Sequence, residues 1–332
     1  MNSRRPKTPR PLTCGRLLRY RMETACVQVL VRCLPLLTRR GLVRCARGLG
    51  WAAFHLLRRQ RRIALANLDV AFGETKSRAE KKRIALQSMQ QFALTLMGLL
   101  WSQRMTRETL DTVVTVNPEH LDRARLLTRG DKGVIFITLH YGDWEMLGLG
   151  AGFLGMPLHV VTETMRNAGL EEIFMRLRTR SGNTIVPQAG AAMRLLRALR
   201  QKKAVALVID LNAPSQSGGM WLNFFGLPVY NNTAAAALAL RTGARIVGAS
   251  CVSLPDGRVR LEYGREIACE STGDDEADIR RISQECLDYC EEVIRREPEH
   301  WLWSYKRWKH RREKKRGRYP FYTTRHDPGM PR

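Results

Sequence analysis

His140 and Glu145 stand five residues apart in the stretch "LHYGDWE", 139–145, directly after the apolar run "GVIFIT". A histidine held by a carboxylate is a competent general base, because the carboxylate fixes the tautomer and stabilises the imidazolium that forms. On one regular helix, side chains five apart would point about 140° away from each other. The pair can converge only if the chain turns between them, and Gly142 permits that turn. The expected arrangement puts His140 at the end of a strand, Asp143 as the cap of the next helix and Glu145 in its first turn. No serine or cysteine lies within the stretch to act as a local nucleophile, so the proton for His140 to take would come from a substrate hydroxyl. The same residues also fit a strand-end histidine that is only hydrogen-bonded, beside an acid favoured by the helix dipole.

The elements that must position these residues alternate from residue 132 onward. Strands are predicted over 133–139, 158–163, 184–187, 204–210, 244–254 and 258–264, with helices over 144–154, 168–181, 189–202 and 232–242. Near-continuous apolar strands joined by helices imply a mostly parallel sheet covered on both faces. "PDG", 255–257, is a turn joining two strands that pair as a hairpin, so the sheet is mixed. The fold class is therefore α/β, a mixed, mostly parallel sheet flanked by helices, and a final helix spans about 274–297. Asp210 ends a predicted strand at the carboxyl edge, where α/β sites gather, and a helix-capping or turn role is equally open to it. "MLGLGAGFLGMPL", 146–158, is apolar all round; it fits a buried helix, and its four glycines would also leave room for a chain-shaped channel.

Charge narrows the class. The 332 residues carry 56 Lys+Arg against 31 Asp+Glu, a net charge of +25, which favours an anionic partner. Sixteen of the cations fall in residues 1–62 with Glu23 as the sole acid, and nine fall in 305–318 with Glu313. No helix-turn-helix, RNP or zinc spacing accompanies this charge, so no nucleic-acid partner is expected. The apolar runs of the N-terminal third are interrupted by arginine or proline, and the uncharged stretch 84–103 holds four glutamines and two serines. These segments predict helices lying in a membrane interface with their arginine heads at phosphate, against the plainer alternative of amphipathic helices packed on their own domain. The eight cysteines form no CxxC pair and read as reduced buried thiols; Cys286 and Cys290, at i and i+4, lack a second ligand pair for zinc. The chain divides into a disordered basic segment 1–15, a membrane-associated helical region 16–104, an α/β domain 105–310 and a basic tail 311–332.

"HYGDWE" resembles the H-x4-(D/E) motif of the lysophospholipid acyltransferase superfamily, and the rest of the chain is similar to its bacterial lipid A late acyltransferase branch, of lauroyl and myristoyl type. The features run in order from about 50 to 310. "RRIALANLDVAFGETKSRAEKKRIALQS" (61–88) resembles that branch's helix-loop-helix segment, and "RLRTRSGNTIVP" (176–187) its Arg-rich stretch. Residues 204–249 resemble its Asp, Phe-Phe-Gly and Arg-Thr-Gly-Ala series, and "PEHWLWSYKRWK" (298–309) its C-terminal signature. Where the branch has Asp-Gln, this chain has Asp210-Leu211.

The resemblance implies a glycerol-phosphate-acyltransferase-like fold and transfer of a fatty acyl chain from an acyl carrier protein or CoA thioester to a hydroxyl of a membrane glycolipid, a lipid A precursor first. A phosphatidylinositol mannoside, an aminolipid or a lysophospholipid is the alternative acceptor. Glu145 would orient His140, His140 would deprotonate the acceptor, and no acyl-enzyme, cofactor or metal would be needed. Arg176, Arg178 and Arg180 would meet phosphate, if they are not simply solvent-facing, and Asp210 would line the substrate site. Phe224 and Phe225 would wall the acyl groove, or else belong to the core. "WLWSYKRW", 301–308, interleaves aromatics and cations as an interface anchor does. The implied location is the cytoplasmic face of the inner membrane, as a peripheral or monotopic protein on an anionic surface. A catalytically dead scaffold of the same fold would lack the intact His140 and Glu145.

Overall fold

Val134–Thr138 (β2) is buried along its whole length, with Ile135 and Ile137 in one apolar cluster and Val134 and Phe136 in another. The alternation follows from the two-residue period of a strand and shows that both faces of the sheet are covered. The computed structural model describes residues 13–213, 218–312 and 317–325. In sheet order, β2 lies at the centre of seven strands. On one side stand Ala204–Val208 (β5), Leu158–Thr162 (β3) and Thr184–Pro187 (β4); on the other stand Arg245–Ser253 (β8), Val259–Ile267 (β9) and Val114–Val116 (β1). All pairings are parallel except β8 with β9, the hairpin predicted around "PDG". The α/β class and the mixed, mostly parallel sheet are as the sequence predicts.

One face of the sheet is covered by Arg58–Phe72 (α3), Ala191–Arg200 (α8), Ala234–Thr242 (α9) and Asp275–Arg296 (α10). The other is covered by Cys14–Cys33 (α1), Arg39–Leu56 (α2), Pro118–Thr128 (α5), Trp144–Phe153 (α6) and Ala168–Thr179 (α7). Arg78–Trp101 (α4) serves both: Ile84 and Ala85 join the first cluster, Leu94 and Leu99 the second. A reciprocal Ser77–Glu80 capping box starts α4. The glycines of α6 bring it close to its neighbours. A Cβ at Gly152 would lie 2.5 Å from the Ser181 carbonyl oxygen and one at Gly150 2.8 Å from Leu261, so these glycines are filled by packing and open no channel.

One hairpin was not foreseen, and three further sequence expectations are corrected. Gly219–Phe224 (β6) and Leu227–Asn232 (β7) form a separate antiparallel hairpin within what reads as a Phe-Phe-Gly motif. Cys14, Cys26, Cys33 and Cys45 are exposed, because they sit on outward faces of α1 and α2, whereas Cys251, Cys286 and Cys290 are buried. The segment 1–15 lies outside the described residues up to residue 12, and its end, Cys14 and Gly15, already belongs to α1. Trp301, Trp303 and Trp308 are fully buried and pack with Phe224 and Phe225, so the C-terminal aromatics build the core and anchor no interface.

Candidate active site

β2 and β5 are parallel neighbours, with Thr138 opposite Val208, so two residues beyond each strand His140 and Asp210 stand in register. The ring Nδ1 of His140 lies 2.9 Å from Asp210 Oδ1, and the His140 backbone N–H donates to Oδ2 at 3.0 Å. Two contacts from one carboxylate fix both the backbone and the ring. Nδ1 carries the proton toward Asp210, which leaves Nε2 as the basic atom. Among the described residues no protein group bonds Nε2, and the His140 side chain keeps 22% of its surface exposed. Burial works against charge on the imidazole, yet attraction to Asp210, the hydrogen bond to it and the nearby Glu145 outweigh burial and hold its pKa above the ordinary value. For buried Asp210, burial pushes upward, but His140 and the N–H donors prevail and hold it below the carboxylate range.

The chain leaves β2 through a tight turn. Gly142 has φ +56°, and a Cβ there would lie 1.5 Å from the carbonyl oxygen of Cys251. Only glycine fits, as the sequence predicts for the turn. Asp143 caps α6, accepting from Met146 N at 3.3 Å, and it is completely buried against Arg39 of α2 at 3.4 Å. Burial raises Asp143 to about 7 although Arg39 opposes the rise. Arg39 also donates to Gly257 O at 2.7 Å and lies over the Trp101 ring.

The expected bond between Glu145 and His140 is replaced by another. From the first turn of α6, Glu145 points toward α7, where Arg178 donates to both of its oxygens at 2.9 and 2.5 Å, a bidentate pair. Asp210 already occupies Nδ1, which is why Glu145 is left to the guanidinium. The three arginines of 176–180 therefore separate. Arg178 pairs with Glu145 beside His140, Arg180 donates to the carbonyls of Ser102, Gln103 and Met105, and Arg176 is exposed on the outer side of α7. Phe224 and Phe225 lie in the aromatic core and so do not wall an open groove; their rings meet at 4.9 Å.

The C-terminal signature supplies what a local motif cannot. Residues 300–302 run antiparallel to the turn: Gly142 N donates to His300 O at 2.9 Å and Leu302 N to His140 O at 3.0 Å. This places the Trp301 indole N–H 2.8 Å from Asp210 Oδ2. α3 and α4 clamp the segment, since Asn67 donates to the carbonyls of Trp303 and Tyr305 at 2.7 Å and Ser88 donates to that of Trp301. Farther along α4, Thr95 donates to Gly142 O at 2.8 Å. Trp301, Asn67, Ser88 and Arg39 hold the candidate site together from afar, which the spacing of the motif does not reveal; buried asparagine, serine and arginine among apolar helices are the available signal. Beside the ring, Trp144 packs edge-on to His140 at 5.0 Å and faces Phe92 at 6.1 Å.

A buried carboxylate, an imidazole with its outer nitrogen free and a carboxylate-locked guanidinium form an assembly suited to removing a proton from a hydroxyl and stabilising the charge that follows. Among curated proteins, the phosphatidylinositol mannoside acyltransferase of Mycobacterium tuberculosis (strain CDC 1551 / Oshkosh) is 25% identical to the chain over 213 residues, 62% of this chain and 63% of the relative. The chain thus matches somewhat less than two thirds of that protein's length. A family profile described as bacterial lipid A biosynthesis acyltransferase matches residues 16–310, which takes in the N-terminal helices, the whole sheet and the C-terminal signature. With the motif turn, the Asp210 strand end and the Trp301 segment all inside that match, the chain belongs to the bacterial lipid A biosynthesis acyltransferase family.

Proposed function

We propose that the protein transfers a fatty acyl chain from the thioester of acyl carrier protein, or of CoA, to a hydroxyl of a membrane glycolipid, with a lipid A precursor as the acceptor. The observation that carries this reading is the Asp210–His140 pair at 2.9 Å with Nε2 left outward. Nε2 takes the acceptor's hydroxyl proton, and the oxygen forms a bond to the thioester carbonyl carbon. As the tetrahedral oxyanion collapses, the carbon–sulfur bond breaks and the imidazolium returns its proton to the thiolate. No acyl-enzyme is required. Asp210 holds the tautomer, while Arg178, fixed by Glu145, is the cation placed to stabilise the oxyanion. Exposed Arg176 meets phosphate of the acceptor or of the bilayer surface.

The work is done at the cytoplasmic face of the inner membrane. No helix among the described residues is long and apolar enough to cross a membrane, and α1 and α2 expose Leu18, Met22, Val29 and Trp51, as an interfacial protein does. The mycobacterial relative, a phosphatidylinositol mannoside acyltransferase, favours a second acceptor, a phosphatidylinositol mannoside. Full-length protein incubated with radiolabelled acyl carrier protein thioester is expected to label a tetraacylated lipid A precursor in preference to a phosphatidylinositol mannoside. His140→Ala should lose more than about a hundredfold of the rate, the range of a general base. Labelling of the mannoside alone would move the acceptor to the second reading, and undiminished transfer by His140→Ala would overturn the mechanism.

A further inference from the structure

Arg39 and Arg178 of the candidate site are each held by a carboxylate, Asp143 and Glu145. Arg307 is completely buried and, among the described residues, has no such partner in contact. Its Nη2 donates to the neutral amide of Asn231 at 2.7 Å, its Nε and Nη1 bond to no protein group, and its guanidinium lies over the Phe224 ring at 5.0 Å. A guanidinium keeps its charge inside a protein, so a buried one needs a negative charge nearby.

Asp210 is that charge. Just past Asp210 the chain joins β7, through a bridge between Asn212 and Asn231 and a bond from Ala213 N to Tyr230 O at 3.0 Å. Asn231 takes the Arg307 guanidinium, and Asn212 Nδ2 donates to Tyr305 Oη at 3.1 Å and to Lys306 O at 2.9 Å. Residues 305–307 are thereby tied beside the strand end that carries Asp210. Trp301, the indole donor to Asp210, packs on the same Phe224 ring at 5.7 Å. Burial presses Arg307 toward its neutral form, and Asp210 is the strongest of the charges that oppose this. The other titratable groups facing Arg307 are Cys290 of α10, Tyr305 and Tyr322, none of them a carboxylate.

The proposed reaction creates the need for this cation. His140 acts in its neutral form, and in that state the ring offers Asp210 no positive charge. From α6 the ring also senses Glu145, whose charge Arg178 already engages. Hydrogen bonds from Trp301 and the His140 backbone favour the carboxylate, but burial favours its protonation. A protonated Asp210 would donate to Nδ1, which moves the ring proton to Nε2 and removes the base.

Resting on the acyl-transfer reading above, we propose that Arg307 is a positioning residue for the base: its fixed positive charge keeps Asp210 a carboxylate while His140 is neutral. Arg307 acts only through Asp210. The same charge opposes formation of the imidazolium, so removing it makes His140 easier to protonate.

The test reads the ring itself, by NMR titration of the full chain with isotopically labelled histidine in detergent micelles, the His140 signal being assigned by its loss in His140→Gln. Arg307→Met keeps the packing on Phe224 and deletes the charge, and Arg307→Lys keeps the charge. Asn231→Asp leaves Arg307 in place and gives it a carboxylate of its own, so the question is answered even if Arg307→Met does not fold. In Arg307→Met and Asn231→Asp the ring should titrate at least about half a pH unit higher than in wild type, and the acid limb of kcat/KM should move with it. Arg307→Lys should hold both within about 0.3 units of wild type. A ring that titrates at the wild-type pH in Asn231→Asp or in folded Arg307→Met, or that moves as far in Arg307→Lys, would overturn the proposal and leave Arg307 a packing residue. Because the titration needs no turnover, failure of every form to transfer an acyl chain would count against the acyl-transfer reading alone.

Discussion

Asp210 accepts three hydrogen bonds in a buried position: from the His140 ring, the His140 backbone and the Trp301 indole. A buried carboxylate stays ionised only with such a donor set, and each bond to a charged group contributes about 1.5–3 kcal/mol. Trp301→Phe keeps most of the packing and deletes one donor, so denaturant unfolding should show a loss of about that size; an unchanged midpoint would mean that the indole contact is idle. The candidate histidine and its turn were legible in the sequence, because His140, Gly142 and the Asp143 cap lie within a few residues. The partner of the base was not. Asp210 could be placed at a strand end, but its meeting with His140 across 70 residues depends on β2 and β5 being neighbours in phase, which no local spacing encodes.

At the scale of elements, Arg39 fastens α2 to the motif turn through Asp143. Burial raises the Asp143 pKa to about 7, so between pH 4 and 7 the folded state binds a proton that the unfolded chain does not. Stability from that proton is therefore present at acid pH and lost as pH rises through about 7. Arg39→Ala leaves a buried carboxylate without its cation and should cost about 3 kcal/mol at pH 8. It should cost less at pH 5, where Asp143 carries its proton. Urea melts at the two pH values measure the difference, and a cost independent of pH would show that Arg39 acts through packing alone. The parallel strands were readable because they are continuous apolar runs, whereas the hairpin of β6 and β7 was not. Its two-residue turn uses Phe225 and Gly226, both at positive φ, in place of the Asn-Gly pair that advertises such a turn. Phe225 is held there by its N–H to Glu291 at 2.6 Å.

At the scale of the whole molecule, ten of the sixteen large exposed apolar side chains among the described residues fall between 17 and 57. That segment also carries seven arginines against a single acid, Glu23. Leu18, Met22 and Val29 of α1 repeat at four and seven and so share one stripe. Their simultaneous change to Asp should lower partition onto anionic vesicles at least about tenfold while leaving the melting temperature unchanged, since no core contact is lost. Unaltered partition in a sedimentation assay would place the bilayer elsewhere. His140, the base of the proposed reaction, sits at the carboxyl edge of the sheet beside Asp210. The pH dependence of kcat/KM tests this base most directly. With neutral His140 as the acting form, activity should rise with pH and reach half its plateau above the ordinary histidine pKa of about 6.5. Asp210→Asn should lower the plateau about 10²–10⁴-fold and move that limb to lower pH, with a smaller displacement for Glu145→Gln. A limb that stays in place in Asp210→Asn, or that moves only in Glu145→Gln, would contradict the assignment of Asp210 as the residue that holds the base.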